Sequence, residues 1–299
     1  MKLVLTGSLG HISRPLAEEL LQQGHDVTVI SSNPERRKAI ETLGAKAAIG
    51  QLRDVDFLAA TFAGADAVYC MTPMPHLFDP NVDVVAHYTG FAPVYLQAVR
   101  QSGVLRVVHL SSVGAHTNQG SGMLRYAHEI ENVLQQLPGD VSVTFMRPVG
   151  FYTNLFAFIP EIKERGFITS NYGGADKKPW VSPVDIAMAV AEELTEVQPE
   201  ARKIRYVASD ELSCDEVARL LGAAVGKPDL EWRVIADEQM LDGLQAAGMH
   251  PNTARDFVAM NAGMQNGKIY EDYYKNEPAL GKVKMTDFAK EFAKAYPQK

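Results

Sequence analysis

The fold is decided by the stretch Thr6-Gly7-Ser8-Leu9-Gly10-His11-Ile12-Ser13, which joins a short apolar run at 2–6 to a helical pattern at 12–23. A glycine-rich turn between a strand and a helix is typical of a loop that binds the phosphates of a dinucleotide. Gly7 can take the positive φ of a tight turn, and Gly10 lets the backbone approach a pyrophosphate. The helix N-terminus offers free N–H groups to the anion. Ser13 stands where a third glycine is usual, and a small side chain suffices there.

The segments that follow alternate between strand and helix patterns. We predict strands at 2–6, 26–30, 45–49, 67–71, 105–110 and 141–146, and helices at 12–23, 34–43, 56–62 and 82–102. Strands joined by helical crossovers form a parallel sheet with helices on both faces. The sequence therefore predicts an α/β fold, a Rossmann-type doubly wound parallel sheet, with ligands at the carboxyl ends of its strands.

Beyond residue 150 the alternation loosens. Helical patterns cover 182–195, 215–225, most of 237–265 and 285–296, and extended patterns cover 203–207 and 230–234. We predict an NAD(P)-binding Rossmann core at 1–150. A smaller, mainly helical C-terminal substrate lobe at 151–299 should pack on the core and can contribute elements back to it.

Composition excludes several classes of protein. The chain has 299 residues and a formal net charge of −7, which argues against direct nucleic-acid binding. No apolar stretch reaches the roughly 20 residues that span a bilayer, and the N-terminus carries no signal-peptide pattern. Cys70 and Cys214 lie too far apart to suggest a disulfide framework or a metal site. We expect a cytoplasmic protein that binds neither metal nor membrane.

The end of the second strand bears on cofactor choice. It reads Ile30-Ser31-Ser32-Asn33-Pro34-Glu35-Arg36-Arg37-Lys38, with no acid directly after the strand to accept from a ribose 2′-hydroxyl. Ser32 and Asn33 can donate hydrogen bonds, and Arg36 or Arg37 can pair with a 2′-phosphate. This pattern favours NADP(H) over NAD(H). Alternatively, Asn33 caps a helix and the arginines lie on its solvated face; both interpretations can hold for Asn33.

Taken together, these motifs resemble the NmrA-like family, a branch of atypical short-chain dehydrogenase/reductases that includes NAD(P)H:quinone oxidoreductase-type members. The resemblance begins in the glycine loop and covers nearly the whole chain. It continues through Asn33-Pro34-Glu35-Arg36, Ser111-Ser112, Arg147-Pro148 with Phe151 and Asn154, Trp180-Val181 with Asp185-Ile186-Ala187, and the stretch from Leu212-Ser213 to Gly226-Lys227-Pro228.

The resemblance implies a set of cofactor-binding residues. Those expected at the pyrophosphate are Gly7, Gly10, His11 and Ile12. Those expected at the adenosine ribose are Ser32, Asn33 and Arg37, with Gln51 and Leu52 near the adenine. Those expected along the middle of the cofactor are Met71, Thr72 and Pro73, and those expected at the nicotinamide are Pro148, Gly150 and Phe151.

Ordinary short-chain dehydrogenases use a Tyr-x-x-x-Lys pair for proton transfer, and this sequence lacks it. Tyr126 is followed four residues later by Ile130, and the alternative register places Met123 and Ala127 at the two positions. Candidate polar groups near the site are Tyr126, His128, His116 and Tyr152. Each of these can instead be a surface or hydrogen-bonded side chain, and His109, inside an apolar strand, is expected in the core.

Hydride transfer to a quinone needs little beyond correct positioning of the reactants. We therefore predict an NADPH-dependent reductase of a small electrophile such as a quinone. The alternative is a non-catalytic redox sensor that binds NAD(P)(H) and acts through a regulatory protein partner. A third possibility is a structural NADP(H)-binding protein.

Overall fold

The structure, a computed structural model, describes residues 1–297; the last two residues of the predicted lobe lie outside the described residues. Its strands are β1 (Lys2–Leu5), β2 (Asp26–Ser31), β3 (Lys46–Ile49), β4 (Ala67–Cys70), β5 (Arg106–Leu110), β6 (Ser142–Pro148), β7 (Gly150–Phe151), β8 (Phe167–Ser170), β9 (Lys177–Val181), β10 (Arg202–Val207), β11 (Asp210–Ser213) and β12 (Glu231–Val234). Its α-helices are α1 (Ser13–Gln22), α2 (Arg36–Leu43), α3 (Val55–Phe62), α4 (Val84–Thr89), α5 (Ala92–Ser102), α6 (Arg125–Leu134), α7 (Ile159–Arg165), α8 (Pro183–Thr195), α9 (Cys214–Ala224), α10 (Asp237–Ala246), α11 (Pro251–Gln265) and α12 (Met285–Ala295).

Seven parallel strands form the central sheet in the order β10-β6-β5-β4-β1-β2-β3. Strand β1 lies between β4 and β2, with Leu3 opposite Val27 of β2 and opposite Ala67 of β4. The chain winds outward in one direction from β1 to β3 and in the other from β4 to β6. This reversal opens a crevice above the carboxyl ends of β1 and β4, where doubly wound sheets bind ligands. The predicted Rossmann-type fold is confirmed.

Apolar helix faces cover both sides of this sheet. Helix α1 buries Leu16 and Leu20 against one face, where it packs beside α8. Helices α3, α5 and α6 cover the other face. A third apolar cluster, which includes Trp180 and Phe288, lies in the C-terminal part of the chain. Burial on both faces explains why the central strands are continuously apolar.

The C-terminal part is mainly helical, as the sequence predicts, but it also contains short strands that the sequence analysis did not place. It contains a three-stranded sheet in the order β11-β9-β7 and a two-stranded sheet of β12 and β8. These strands have two to five residues, too few for a two-residue periodicity to stand out in the sequence. Strand β10 extends the central sheet and α8 covers it, so this part of the chain contributes elements to the core.

The single helix predicted at 82–102 is wrong, because the structure has two helices, α4 and α5, separated by Gly90 and Phe91. Pro93 lies in the first turn of α5. Inside a continuous helix its ring would clash with the preceding turn and remove a hydrogen bond, whereas at a helix start neither cost arises. A similar break divides 237–265, where Gly248 has a φ of +90° and Pro251 begins α11.

Residues 271–284, here called the C-terminal strap, cross from α11 to α12 without regular structure. The buried carboxylate of Asp185 on α8 accepts hydrogen bonds from the backbone N–H groups of Lys282 and Val283, each at 3.1 Å, and from the Ser209 hydroxyl at 2.6 Å. One carboxylate thereby holds the strap against the core. In the described part of the chain, no helix is long and apolar enough to cross a membrane.

Candidate cofactor and active site

The predicted phosphate loop connects β1 to α1 and is held tightly in place. Gly7 has a φ of +90°, and a Cβ atom there would lie 2.5 Å from Ser13 Oγ and 2.9 Å from Met71 Sδ. The Ser13 hydroxyl donates to the Thr6 carbonyl at 2.9 Å, so serine at the third position of the motif also fastens the loop. Among residues 1–297 no side chain caps α1, which leaves backbone N–H groups at its N-terminus available to an anion.

Gly10 meets a different requirement. It is exposed, and a Cβ atom there would meet only the Gly7 carbonyl oxygen, at 3.2 Å. Packing within the protein therefore does not require glycine at residue 10, and the space in front of its Cα is open to a ligand. His11 is exposed as well, whereas the Ile12 side chain is buried in the core. Only the backbone of Ile12 can face a pyrophosphate, and the open cradle at Gly10 fits one.

The end of β4 is joined directly to this loop. The Thr6 hydroxyl accepts a hydrogen bond from Met71 N at 2.8 Å, and the Tyr95 hydroxyl donates to Met71 O at 2.6 Å. The next residue, Thr72, is buried, and its hydroxyl has no partner among residues 1–297. Buried hydroxyls are normally hydrogen-bonded, so an unpartnered one beside the cradle fits a site that a polar ligand completes. Pro73 is exposed at the same edge.

The end of β2 borders the other side of the loop. Ser8 donates from its backbone N–H to Ile30 O at 3.0 Å and from its hydroxyl to Ser31 Oγ at 3.1 Å. Ser32 and Asn33 are exposed beyond this junction. Asn33 Oδ1 accepts from Glu35 N at 2.9 Å, so Asn33 shapes the turn into α2 as one interpretation of the sequence expects. The adenosine ribose of a dinucleotide lies above this strand end.

Arg37, which the sequence analysis expects at the 2′-phosphate, lies on α2. It is exposed on α2 and forms an ion pair with Glu41 at 3.6 Å. Between α1 and α2 lies a groove of about 520 Å³. Its lining comprises Leu9, Arg14, Glu35, Lys38, Ala39, Thr42 and Leu43. Arg37 does not line this groove. Lys38 does, and it forms no ion pair within the described chain.

The sequence analysis did not single out Arg14 or Lys38. A helical signal could have found Lys38, because residues 35, 38, 39 and 42 repeat at the spacing of one helix face. Residue 37 falls off that face. Near the adenine position, Gln51 is exposed and Leu52 is half-buried against the apolar cluster under α5.

The ends of β5 and β6 border the other half of the crevice. Ser111 N donates to Met146 O at 2.8 Å, and Val113 N donates to Pro148 O at 2.9 Å, so the loop after β5 runs beside the end of β6. Pro148 is buried, and Gly150 and Phe151 form β7, which pairs with β9. Phe151 packs against the core at this edge. The three residues expected at the nicotinamide thus lie together at one strand end.

A buried ionic network lies beneath this edge. The Arg147 guanidinium donates to both carboxylate oxygens of Glu131, at 2.9 and 2.6 Å, and also to Tyr206 and Asp272. Burial alone would lower the pKa of Arg147, but the hydrogen bonds and charge of Glu131 outweigh it and raise the pKa. The Ser111 hydroxyl donates to Glu131 and is therefore already engaged. Sequence reasoning missed this network because its members are far apart in the chain.

The structure separates the four candidate proton donors. The Tyr126 ring stacks on Tyr88 with centroids 4.1 Å apart, and burial raises the pKa of Tyr126 to about 12. Tyr152 is fully buried, and its hydroxyl donates to Asp210 at 2.7 Å. Burial and the Asp210 hydrogen bond raise the Tyr152 pKa. Neither tyrosine is placed to give up a proton near neutral pH.

The two histidines differ in the access to their ring nitrogens. Both ring nitrogens of His116 are enclosed by protein and lack a partner among residues 1–297, and burial lowers the pKa of His116. His128 lies on α6, with Nδ1 2.9 Å from the Ala115 carbonyl oxygen. His109 is in the core as expected, and burial lowers its pKa to about 4. Within the described residues, no cluster of side chains is suited to hold a metal ion.

Comparisons with known proteins agree with this geometry. The chain is 25% identical over 259 residues to an NAD(P)H azoreductase of Xenophilus azovorans, which covers 87% of this chain and 85% of the relative. Its fold resembles the NADPH-dependent quinone oxidoreductase QOR2 of Escherichia coli, solved in complex with NADPH. The TM-score is 0.78 at 17% identity, over 97% of this chain and 99% of that one.

A second solved structure with the same fold is a triphenylmethane reductase of Citrobacter sp. in complex with NADP(H). The TM-score is 0.73 at 19% identity, covering 98% of this chain and all of that one. The NmrA-like family profile matches residues 1–292, which is almost the entire sequence. Together with the glycine loop and the parallel sheet, that match shows that the chain belongs to the NmrA-like family.

Proposed function

We propose that this protein is an NADPH-dependent reductase that transfers a hydride to a small electrophile, with quinones as the first candidate. The observation that carries the proposal is the open cradle at Gly10, at the point where the strand order reverses between β1 and β4. When bound there, NADPH supplies the hydride. The azoreductase and the quinone oxidoreductase support the choice of an electrophilic acceptor.

The residues of this chain would bind and orient the cofactor. The N–H groups at the start of α1 would hold the pyrophosphate, and the Thr72 hydroxyl has a free hydrogen bond to offer. On the adenosine side, Lys38 and Arg14 line a groove beside the loop tip, where they can attract a 2′-phosphate. The missing Tyr-x-x-x-Lys pair argues against alcohol oxidation and fits substrates that accept hydride directly.

Titration of the purified protein with NADPH and NADH, followed by oxidation assays with quinones and azo dyes, tests this proposal. We expect tighter binding of NADPH and acceptor-dependent oxidation. Binding without oxidation by any acceptor would contradict the reductase and favour the redox sensor. A cofactor-dependent change in the capture of a protein partner would then distinguish the sensor from a purely structural protein.

Substitutions at Gly10 test the cradle itself. Gly10→Asp should abolish cofactor binding, because a carboxylate at this position repels the pyrophosphate. Gly10→Asn is the matched control, since asparagine has nearly the same size without the charge. Its loss of affinity should be smaller, and the difference should shrink at high salt. Unchanged NADPH affinity in the aspartate variant would remove Gly10 from the phosphate site.

A further inference from the structure

The imidazole of His128 is held in one orientation on α6. Its Nδ1 lies 2.9 Å from the carbonyl oxygen of Ala115. A carbonyl oxygen only accepts hydrogen bonds, so Nδ1 must carry the hydrogen and donate. Nε2 has no partner within residues 1–297 and, unlike both nitrogens of His116, is not enclosed by protein. One nitrogen therefore fixes the ring, and the other makes no hydrogen bond within the described residues.

The position of His128 follows from its contact with the loop after β5. Ala115 belongs to that loop, which is joined to the end of β6 by the hydrogen bond from Val113 N to Pro148 O. The strands β4, β5 and β6 form the half of a doubly wound sheet that takes the second mononucleotide of a dinucleotide. His128 thus lies at the nicotinamide half of the crevice, on the side away from the cation-lined groove.

We propose that His128, as an imidazolium, donates the proton that completes reduction of the substrate; this role rests on the reductase function proposed above. In the reduction of a quinone, the hydride and its two electrons form an O–H bond at one quinone oxygen and leave a phenolate at the other. The Nε2–H bond then breaks as this phenolate oxygen takes the proton. The product is a hydroquinone, and His128 is left as the neutral imidazole with its hydrogen on Nδ1. A proton from solvent restores the imidazolium.

The Ala115 carbonyl suits this step in both protonation states. It accepts from Nδ1–H before and after the proton leaves Nε2, so the ring need not reorient during turnover. The other candidates lack such an arrangement. Tyr152 donates its only proton to Asp210, and burial makes Tyr126 a weaker acid.

The charged neighbours of His128 are mostly neutralised within the protein. On α6, Arg125 pairs with Asp256 of α11, and Glu131 pairs with Arg147 of β6. Glu129 is exposed to solvent. The elements packed on α6 carry further titratable groups. These are His87 and Tyr88 of α4, Tyr95 and Arg100 of α5, Tyr126 of α6 itself and His116 of the adjoining loop. A pH dependence of the rate that is lost in His128→Gln but kept in His87→Gln therefore belongs to His128.

The first test measures the tautomer and needs no turnover. The ¹⁵N chemical shifts of the His128 ring in the full-length protein should show hydrogen on Nδ1 when the ring is neutral. His128→Gln identifies the signal by its loss. A neutral ring protonated on Nε2 would overturn the assignment, because an unprotonated Nδ1 cannot donate to the Ala115 carbonyl oxygen.

The second test follows quinone reduction as a function of pH. His128→Gln should lower kcat by about 10²-fold, the usual contribution of a general acid, and should leave NADPH affinity unchanged. The fall in the wild-type rate as the imidazolium deprotonates should vanish in this variant. His25→Gln, between α1 and β2, is the matched control and should keep both the rate and the pH profile.

The outcomes separate the two proposals. If the wild-type protein binds NADPH but reduces no quinone or azo dye, the proposed function fails and the proton donor fails with it. If the wild-type protein turns over and His128→Gln matches it in rate and pH profile, only the role of His128 is wrong. A loss of rate together with an unchanged pH profile would also overturn proton donation.

Discussion

Replacing Arg147 by methionine should lower the free energy of unfolding by about 3–5 kcal/mol, the usual cost of leaving a buried charge without its partner. The Glu131 side chain is 3% exposed and receives two hydrogen bonds from the guanidinium. After the substitution the Ser111 hydroxyl is the one hydrogen-bond donor left to it within residues 1–297. Asp272 is 29% exposed, so water can solvate its carboxylate. The loss of its ion pair with Arg147 should therefore add less to the fall in the free energy of unfolding.

Urea unfolding of the cofactor-free protein measures this cost. The double variant Arg147→Met/Glu131→Leu removes both charges and should recover most of the lost stability, because apolar replacement of a buried pair is often neutral. Arg37→Met is the matched control: its pair with Glu41 is 54% exposed on both sides, and it should cost less than about 0.5 kcal/mol. A cost below about 1 kcal/mol for Arg147→Met, or a double variant less stable than the single one, would refute this reasoning.

Three further predictions concern the cofactor, pH and the strap. Lys38→Ala should weaken NADPH binding roughly tenfold, measured by calorimetry, with little effect on NADH binding. Arg37→Ala should weaken NADPH binding less. Equal losses of affinity for both cofactors in Lys38→Ala would exclude Lys38 from the 2′-phosphate site. Burial lowers the pKa of His109 from its ordinary value of 6.5 to about 4 in the folded protein. Its contribution to the free energy of unfolding is therefore complete above pH 6.5 and decreases by about 3 kcal/mol as the pH falls to 4. In His109→Gln the urea midpoint should change less with pH between 6.5 and 4, and an unchanged slope would contradict the assignment. Asp185→Asn should release the C-terminal strap, because it places an amide N–H against the N–H groups of residues 282 and 283. Limited proteolysis with trypsin should then cleave the strap faster than in the wild-type protein. Equal cleavage rates would show that another contact holds the strap.

Local sequence signals predicted the cofactor half of the fold well. The glycine loop and the first six strands of the central sheet follow from short-range periodicity and turn chemistry, which act over a few residues. The same signals failed at Pro93, where a helix break was overlooked. Arg37 stays a prediction, and the helix face adds Lys38 as a second candidate because Lys38 lines the groove beside the loop.

Contacts between distant parts of the chain could not be read in this way. Arg147 joins Glu131 to Asp272, which follows 125 residues after it. Tyr152 is a candidate proton donor in the sequence, yet its hydroxyl donates a hydrogen bond to Asp210, 58 residues later. The free Nε2 of His128 likewise depends on the Ala115 carbonyl, which only the folded loop brings near. Such pairings can be identified only from the folded structure, because the residues that form them are distant in sequence.

The place of β10 at the edge of the central sheet has a consequence for the order of events during synthesis. Domains begin to fold from the N-terminus as the chain leaves the ribosome. Six strands of this sheet emerge early, but β6 stays without its outer neighbour until β10 has been made. Until then β6 presents an unpaired edge, the kind of surface that invites association with other chains. The nascent chain is therefore most vulnerable between the completion of β6 and the arrival of β10, and a chaperone that shields strand edges would matter most in that interval.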